Sequence, residues 1–395
     1  MSQFSDTADA TLAYVEEVTF DTPPTTGYTL LRFTGESLNT SLESAKSDEI
    51  EADRQYTGSV HVSGASAGDV NYQLSYGEYD TFLSAALGAS GWSTPYSDTI
   101  TDVTSQVCTV TSTTGLQVGQ GVKITGLTVA AEDGIYTVSA VLSGTTFEVV
   151  ETITNEATAT ATVNHSGAIT NGTADRSFAF EKKFAAGGSN HYFLMSGMRV
   201  NGFNMSLSSG SILNGSISLM GATGLGSATS QEVGTYAAAG TNELINAVSN
   251  IDGLVLSSVD PLGDLTAISA VFQEFSWSVN NNMRNQPAVG YLYPADIGSG
   301  RIMVEATATI YFANRDLFDE FVVNGNVNLR WQITDDKDAY GNRYVFMIPK
   351  AKVASHEVVA GGPDSDILAN VTFSAEKDTL MGSNKTIVVS RIAAV

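Results

Sequence analysis

Asn342-Arg343-Tyr344-Val345-Phe346-Met347-Ile348-Pro349-Lys350-Ala351-Lys352-Val353 is an apolar strand pattern that the chain has already used once. Much earlier it reads Asn190-His191-Tyr192-Phe193-Leu194-Met195, running into Ser196-Gly197-Met198-Arg199-Val200. Set side by side without a gap, Asn190 falls on Asn342, Tyr192 on Tyr344 and Met195 on Met347, with apolar residues matched between them. A second pair lies upstream in the same relative order. Val70 to Tyr76 alternates as a strand and runs into Tyr79-Asp80-Thr81-Phe82-Leu83, and Ile302 to Tyr311 runs likewise into Arg315-Asp316-Leu317-Phe318-Asp319. Each strand feeds a short helix with Asp in its first turn, where the helix dipole favours negative charge, and a Phe two residues on. Two pairs in one order read as a tandem duplication.

The 395 residues are enough for two or three domains, each able to bury a core. Hydrophobic residues make up 43%, which excludes a disordered chain, whereas charged residues reach only 15% and Gly is plentiful at 37. That balance favours β-structure with many turns. The 42 acidic and 19 basic residues give a net charge of -23, which argues against wrapping nucleic acid, because such binding exchanges counterions for Lys and Arg. The single Cys108 excludes an intramolecular disulfide framework. Met1 to Asp6 lack the basic and apolar regions of a signal peptide, and no apolar run is long enough to cross a bilayer, so synthesis and assembly in the cytoplasm are expected.

Along the chain, residues 1–30 are expected to form an arm, with the first strand at Leu30 to Phe33. Glu43 to Tyr56 is a long polar loop carrying Glu43, Lys46, Asp48, Glu49, Glu51, Asp53 and Arg54. Its counterpart is Asn280 to Gly300, with Met283, Arg284, Tyr291 and Tyr293. Two long loops at equivalent places read as contact arms, since ordering a loop is entropically unfavourable unless contacts compensate. Residues 99–165 turn rich in Thr, Val and Gly, with short strands at 107–110, 121–124, 134–138 and 145–150 and no match in the second copy. They read as an inserted small all-β domain on an exposed loop. The first domain then comprises 1–98 and 166–245, where 221–246 serves as a flexible connector, and the second comprises 246–395.

No catalytic constellation emerges. Gly64-Ala65-Ser66-Ala67-Gly68 spells the nucleophile-elbow pattern, but it lies between two strands where a hydrolase needs a strand and a helix, so it reads as a turn. Asp335 to Gly341 opens like a calcium loop, yet Tyr340 and Met347 stand where ligands are required, so a polar hairpin tip is expected. Gly221 to Ser227 lacks the Lys of a phosphate-binding loop. His61, His165, His191 and His356 are scattered, and no cofactor or metal is expected.

Ala13-Tyr14-Val15-Glu16-Glu17, the Ser37 to Gln55 stretch, Gly68-Asp69-Val70 leading to the Tyr79-Asp80 helix, and Gly341-Asn342 through Ile348-Pro349-Lys350 point further. In these the chain resembles the major tail tube proteins of long-tailed, non-contractile (siphovirus-type) bacteriophages, over most of its length outside 99–165. The resemblance implies an all-β chain with short helices, made of two tandem tube domains of sandwich or barrel type. It implies a virion protein that stacks as rings around a channel, through which DNA passes without specific binding. Its implied partners are further copies of itself and the tape measure, tail terminator and distal tail proteins, with no membrane insertion and no enzyme activity. The family's ring-linking hairpin falls on Glu43 to Tyr56 and, by duplication, on Asn280 to Gly300. The inserted domain is expected on the outer surface, and its deletion is expected to leave a tube. The alternative is a Ser/Thr-rich β-sandwich adhesin or receptor-binding fibre with the inserted domain as its head. A serine hydrolase acting through Ser66 is a third reading. Polymerisation into hollow tubes, glycan binding by stable monomers and labelling by a serine probe separate the three.

Overall fold

The structure, a computed structural model, describes residues 4–50, 52–53, 55, 57–336 and 341–394, without the side chains of 158 and 159. The first copy opens with β1 (Thr11–Glu16), β2 (Thr29–Leu30), β3 (Gly35–Glu36), β4 (Asn39–Lys46), β5 (Ser59–Gln73) and α1 (Asp80–Ala86). The insertion contributes β6 (Tyr96–Thr104), β7 (Val107–Thr109), β8 (Gly121–Thr125), β9 (Gly134–Val141), β10 (Thr146–Val149) and β11 (Glu156–His165). After it come β12 (Gly167–Thr170), β13 (Phe178–Ala186), β14 (Ser189–Ser208), β15 (Asn214–Gly221) and β16 (Gly224–Ser227). The second copy opens with β17 (Ile251–Val259), β18 (Leu265–Ile268), β19 (Phe272–Asn280), β20 (Arg284–Gln286), β21 (Asp296–Gly298) and β22 (Met303–Tyr311). It ends with α2 (Asp316–Val323), β23 (Asn326–Thr334), β24 (Arg343–Ala360), β25 (Ile367–Ala375) and β26 (Val388–Ile392).

The two copies share one antiparallel order. It runs β1-β13-β14-β15-β5-β4 in the first domain and β17-β23-β24-β25-β22-β19 in the second. Even the bulges correspond. Ser196 and Gly197 face one residue of β13, as Pro349 and Lys350 face one residue of β23. Asn201 is skipped against β15, as Ala354 is against β25. These landmarks set Tyr192 on Val345 and Met195 on Ile348, one residue away from the gapless alignment of the sequence. Met195 and Ile348 both enter the main core, whereas Leu194 lies in a smaller cluster on the other face of its sheet and Phe346 does not. In a strand a slip of one residue exchanges the faces, and apolar residues on both faces of these strands hide the slip.

Each long strand serves two sheets. Tyr192 to Met195 of β14 lie between β13 and β16, and Gly202 to Ser206 lie between β15 and β19. The main core fills the space between the sheets, with Phe82 of α1 against Phe178 and Phe180, and Trp277, Trp331 and Phe346 in mutual contact. The pairing of β14 with β19, from Gly202↔Asn280 to Ser208↔Glu274, joins the two domains. One sheet therefore runs β24-β25-β22-β19-β14-β15-β5-β4 across the chain. A polar lock adds to this junction: the buried Asp80 carboxylate of α1 accepts from the Tyr344 hydroxyl and, at 2.6 Å, from Arg391. Burial pushes the Asp80 carboxyl above its usual range, against the pull of these two donors.

Several expectations change. Residues 1–30 are not merely an arm, because β1 pairs along its whole length with β13. Gly64 to Gly68 form no turn but the middle of β5, where Ser66 is buried with its hydroxyl 2.9 Å from that of Thr40. The connector is docked: Ala237 exchanges backbone hydrogen bonds with Tyr28 and Leu30, and Ile245 with Leu74 and Leu213. The insertion is a closed six-stranded barrel with its own core, entered and left through adjacent strands that pair Tyr96 with His165. Its strands β6 and β11 extend the four segments read from the sequence. It packs on the second domain, where Gly121 backs onto Val345 so closely that an added Cβ would come within 2.6 Å, and Glu151 pairs with Arg330. β12, assigned by sequence to the first domain, pairs with β26 beside it. The tip at 337–340 lies outside the described residues.

Trp331 is fully buried and stacks on Phe346 at 5.0 Å. Trp331→Ala is expected to destabilise the second domain by about 3–5 kcal/mol, as large aromatic truncations do. Chemical denaturation followed by near-ultraviolet circular dichroism checks this.

Candidate functional site

The features that stand apart from the core are two arms, one polar sheet face and two open strand edges. The first arm is a hairpin and not a loop at its base, because β4 and β5 continue pairing to Lys46↔Ser59. Glu43 accepts from Ser63 at 2.8 Å, Glu49 from Thr57 at 2.7 Å, and Asp53 from the backbone of Gln55 at 3.1 Å. Lys46 and Asp48 are exposed, as are Ile50, Val60 and Val62, while Glu51 and Arg54 lie outside the described residues. The arm therefore projects with apolar and acidic side chains in solvent.

The second arm is folded down on the first domain. Asn281, buried, donates to the carbonyls of Ala86 and Val200, and the Met283 amide donates to the Asn201 side chain at 2.9 Å. Arg199 donates to the Ile297 carbonyl, pairs with Asp296 at 2.9 Å and lies 4.9 Å over the Phe20 ring. Gly64 donates to the Leu292 carbonyl at 2.8 Å, and the Tyr293 ring covers Gly64 so closely that any side chain there would collide with it. Met283 and Tyr293 are thus anchors of this arm, whereas Arg284 and Tyr291 stay exposed, Tyr291 beside the fully exposed Val289. Arg199, the residue that fastens the arm, was missed in the sequence reading, because its partners lie about a hundred residues away.

The joined sheet has one face on the core and one in solvent. Cross-strand registers align rows on the open face, such as Ser355, Thr372, Thr307, Ser276 and Ser206, or Glu357, Asn370, Thr309, Glu274 and Ser208. Asp69 and Glu305 belong to the same face. The strand segments that build it (35–41, 69–73, 202–208, 214–218, 274–280, 303–311, 355–359 and 368–374) contain no Lys or Arg. At its two ends, among the described residues, β4 pairs with β5 alone and the Ser355 to Ala360 half of β24 with β25 alone.

A family model described as phage tail tube protein matches the chain twice, over residues 7–179 and 165–375. The chain belongs to the phage tail tube protein family. No curated protein matches it. Membership makes this tail tube protein a structural component of the virion tail, and the double match accords with its two tandem domains. The seam between the matches falls just after the inserted barrel and not at the connector, so the two matched stretches differ from the two structural copies. No helix among the described residues is long and apolar enough to cross a membrane.

Arg199→Ala removes a charge-assisted bond worth about 2 kcal/mol, which raises the population of the open arm about thirtyfold. Trypsin is expected to cut after Arg284 correspondingly faster, with the circular dichroism spectrum unchanged.

Proposed function

We propose that the chain polymerises with itself into stacked rings, forming the tube of a non-contractile tail through which the genome is delivered. The observation that carries this reading is the joined sheet, with one polar face whose strand segments named above carry no Lys or Arg, and with end strands that, among the described residues, pair on one side alone. Such a sheet closes on itself only through further chains, since open edges otherwise template uncontrolled pairing. The polar face then lines the lumen. Duplex DNA meets Ser, Thr and Asn hydroxyls and amides with scattered carboxylates, and no cation from these segments gains by releasing counterions, so the DNA slides without being held. The inserted barrel sits on the opposite, outer sheet of the second domain, which supports its place outside the tube. Its close packing at Gly121 and Glu151 supports the tube over a fibre whose head projects for binding. The exposed arm tips, around Ile50 and around Val289 and Tyr291, reach the neighbouring ring, and the end rings meet the tape measure, terminator and distal tail proteins.

A ring of about six tube domains needs three chains of this kind. Electron cryomicroscopy of the assembled tube is expected to show threefold rings with three outer protrusions at each level. Six equivalent chains per ring would refute the stoichiometry, and a chain that never forms tubes would refute the function. Tubes of the unaltered chain are expected to release duplex DNA at physiological salt. A Glu274→Lys/Glu305→Lys variant is expected to retain it with a steep salt dependence, read by co-sedimentation; tight retention by the unaltered tubes would overturn the lumen assignment.

A further inference from the structure

The base of the first arm is held by the second. β15 pairs with β5 as far as Gly221↔Ser66, and beyond that point β5 runs on into the arm beside β4. A two-stranded ribbon is marginal by itself and twists easily, so a hairpin leaving a sheet in this way pivots about its root unless something props it. Two residues past Ser66, the Gly64 amide donates at 2.8 Å to the Leu292 carbonyl of the second arm. Tyr293 completes the prop. A Cβ on Gly64 would lie 2.8 Å from the Tyr293 ring and 2.7 Å from Leu42, so Gly64 is buried between the two although it stands on a strand with exposed neighbours. Leu42 faces Gly64 across the hairpin, and Val62 follows Gly64 on the same side of β5. Both are exposed, and the Tyr293 ring closes the domain end of their apolar row.

The other end of the second arm is fastened to the body of the first domain. Asn281 donates to the Ala86 and Val200 carbonyls, Arg199 donates to the Ile297 carbonyl and pairs with Asp296, and the ladder of β20 with β21 stiffens the stretch between. We propose that the second arm is a strap that aims the first: with the strap down the first arm stands in one direction, and with the strap released it swings about the end of β15. The inference rests on the tube reading for its use, an arm held ready for the neighbouring ring, and on these contacts for its mechanism. It makes the two arms reciprocal, since a change that lifts the second loosens the first, and one that displaces the base of the first lifts the second by the same coupling. Val289 and Tyr291 are exposed within four residues of Tyr293, so a contact made at that tip bears directly on the first arm.

The free chain tests the strap without assembly. Spin labels on an Asp48→Cys/Ser209→Cys background, both exposed, read the direction of the first arm against the body of the first domain, and the native Cys108 is buried away from the label. Double electron-electron resonance is expected to give one narrow distance peak, kept in Tyr293→Phe and lost to a broad distribution when Tyr293→Ala and Arg199→Ala are combined. A peak that stays narrow in the combined variant, or that is already broad in the unaltered background, overturns the strap. In the reverse direction, Gly64→Ala pushes on Tyr293 and is expected to speed tryptic cleavage after Arg284 about tenfold, with the circular dichroism spectrum unchanged. Unaltered cleavage removes the reciprocity, and should Gly64→Ala misfold, Leu42→Trp, which crowds Tyr293 from the exposed side of the arm, gives the same reading. Tubes that form from the combined variant at the concentration the unaltered chain needs overturn the stated use of the strap. A strap that holds in a chain that never forms tubes sinks the tube reading alone.

Discussion

A β-strand with one bare edge presents a row of amide and carbonyl groups that must find water or another strand. The architecture of this chain follows from how that edge is handled. Within the chain the problem is solved once, where seven residue pairs between β14 and β19 make two four-stranded sheets into one. Duplication that covers the edge of the first domain leaves the matching edge of the second, the Ser355 to Ala360 half of β24, paired with β25 alone among the described residues. The same symmetry that joins the domains therefore points outward at both ends of the sheet.

The bulges make this possible. A strand that stays regular belongs to one sheet, whereas β14 and β24 bend at paired irregularities and pass from the outer sheet to the inner one. The inner halves are then free to join side by side while the outer halves remain separate. Separate outer sheets need separate covers. The first domain uses the segment around Tyr28 and the connector around Tyr236, which pack on Ala179 and Leu194. The second uses the inserted barrel, which meets Val345 through Gly121. An insertion that arises in the first domain but covers the second also spans the junction, adding to the lock at Asp80.

What the sequence made legible were features carried by local pattern. The strand-to-helix passages ending in Asp80 and Asp316 were found because alternation and the first-turn Asp are both short-range signals. The insertion was visible through its turns and its lack of a partner copy. Register was not legible, since apolar residues occupy both faces of β14 and β24 and residue type no longer marks the face. Gly64 to Gly68 misled for the opposite reason: small residues suggest a turn, but here they leave room for Tyr293 of the other arm. β1 and β26 were passed over because their partners, β13 and β12 or β24, are distant in sequence. The acidity of the chain was plain, but only the cross-strand registers gathered Asp69, Glu274, Glu305 and Glu357 on one face, built from strand segments without Lys or Arg.

The divergence of the two helices has a physical reason. Asp80 can be taken out of water because Tyr344 and Arg391 are supplied by the same chain and reach it whenever the protein folds. A buried carboxylate whose partner is missing is strongly destabilising, so such a lock suits a contact that is never open. Asp316, at the equivalent place on α2, remains in solvent, and the helix exposes Phe318, Phe321, Val322 and Val323 instead. Exposed apolar side chains gathered in such a cluster are unfavourable in water and gain by being covered. The two helices of one duplicated pattern thus stand in different surroundings, α1 in a covalent junction built on buried polar groups and α2 with its apolar side chains in solvent.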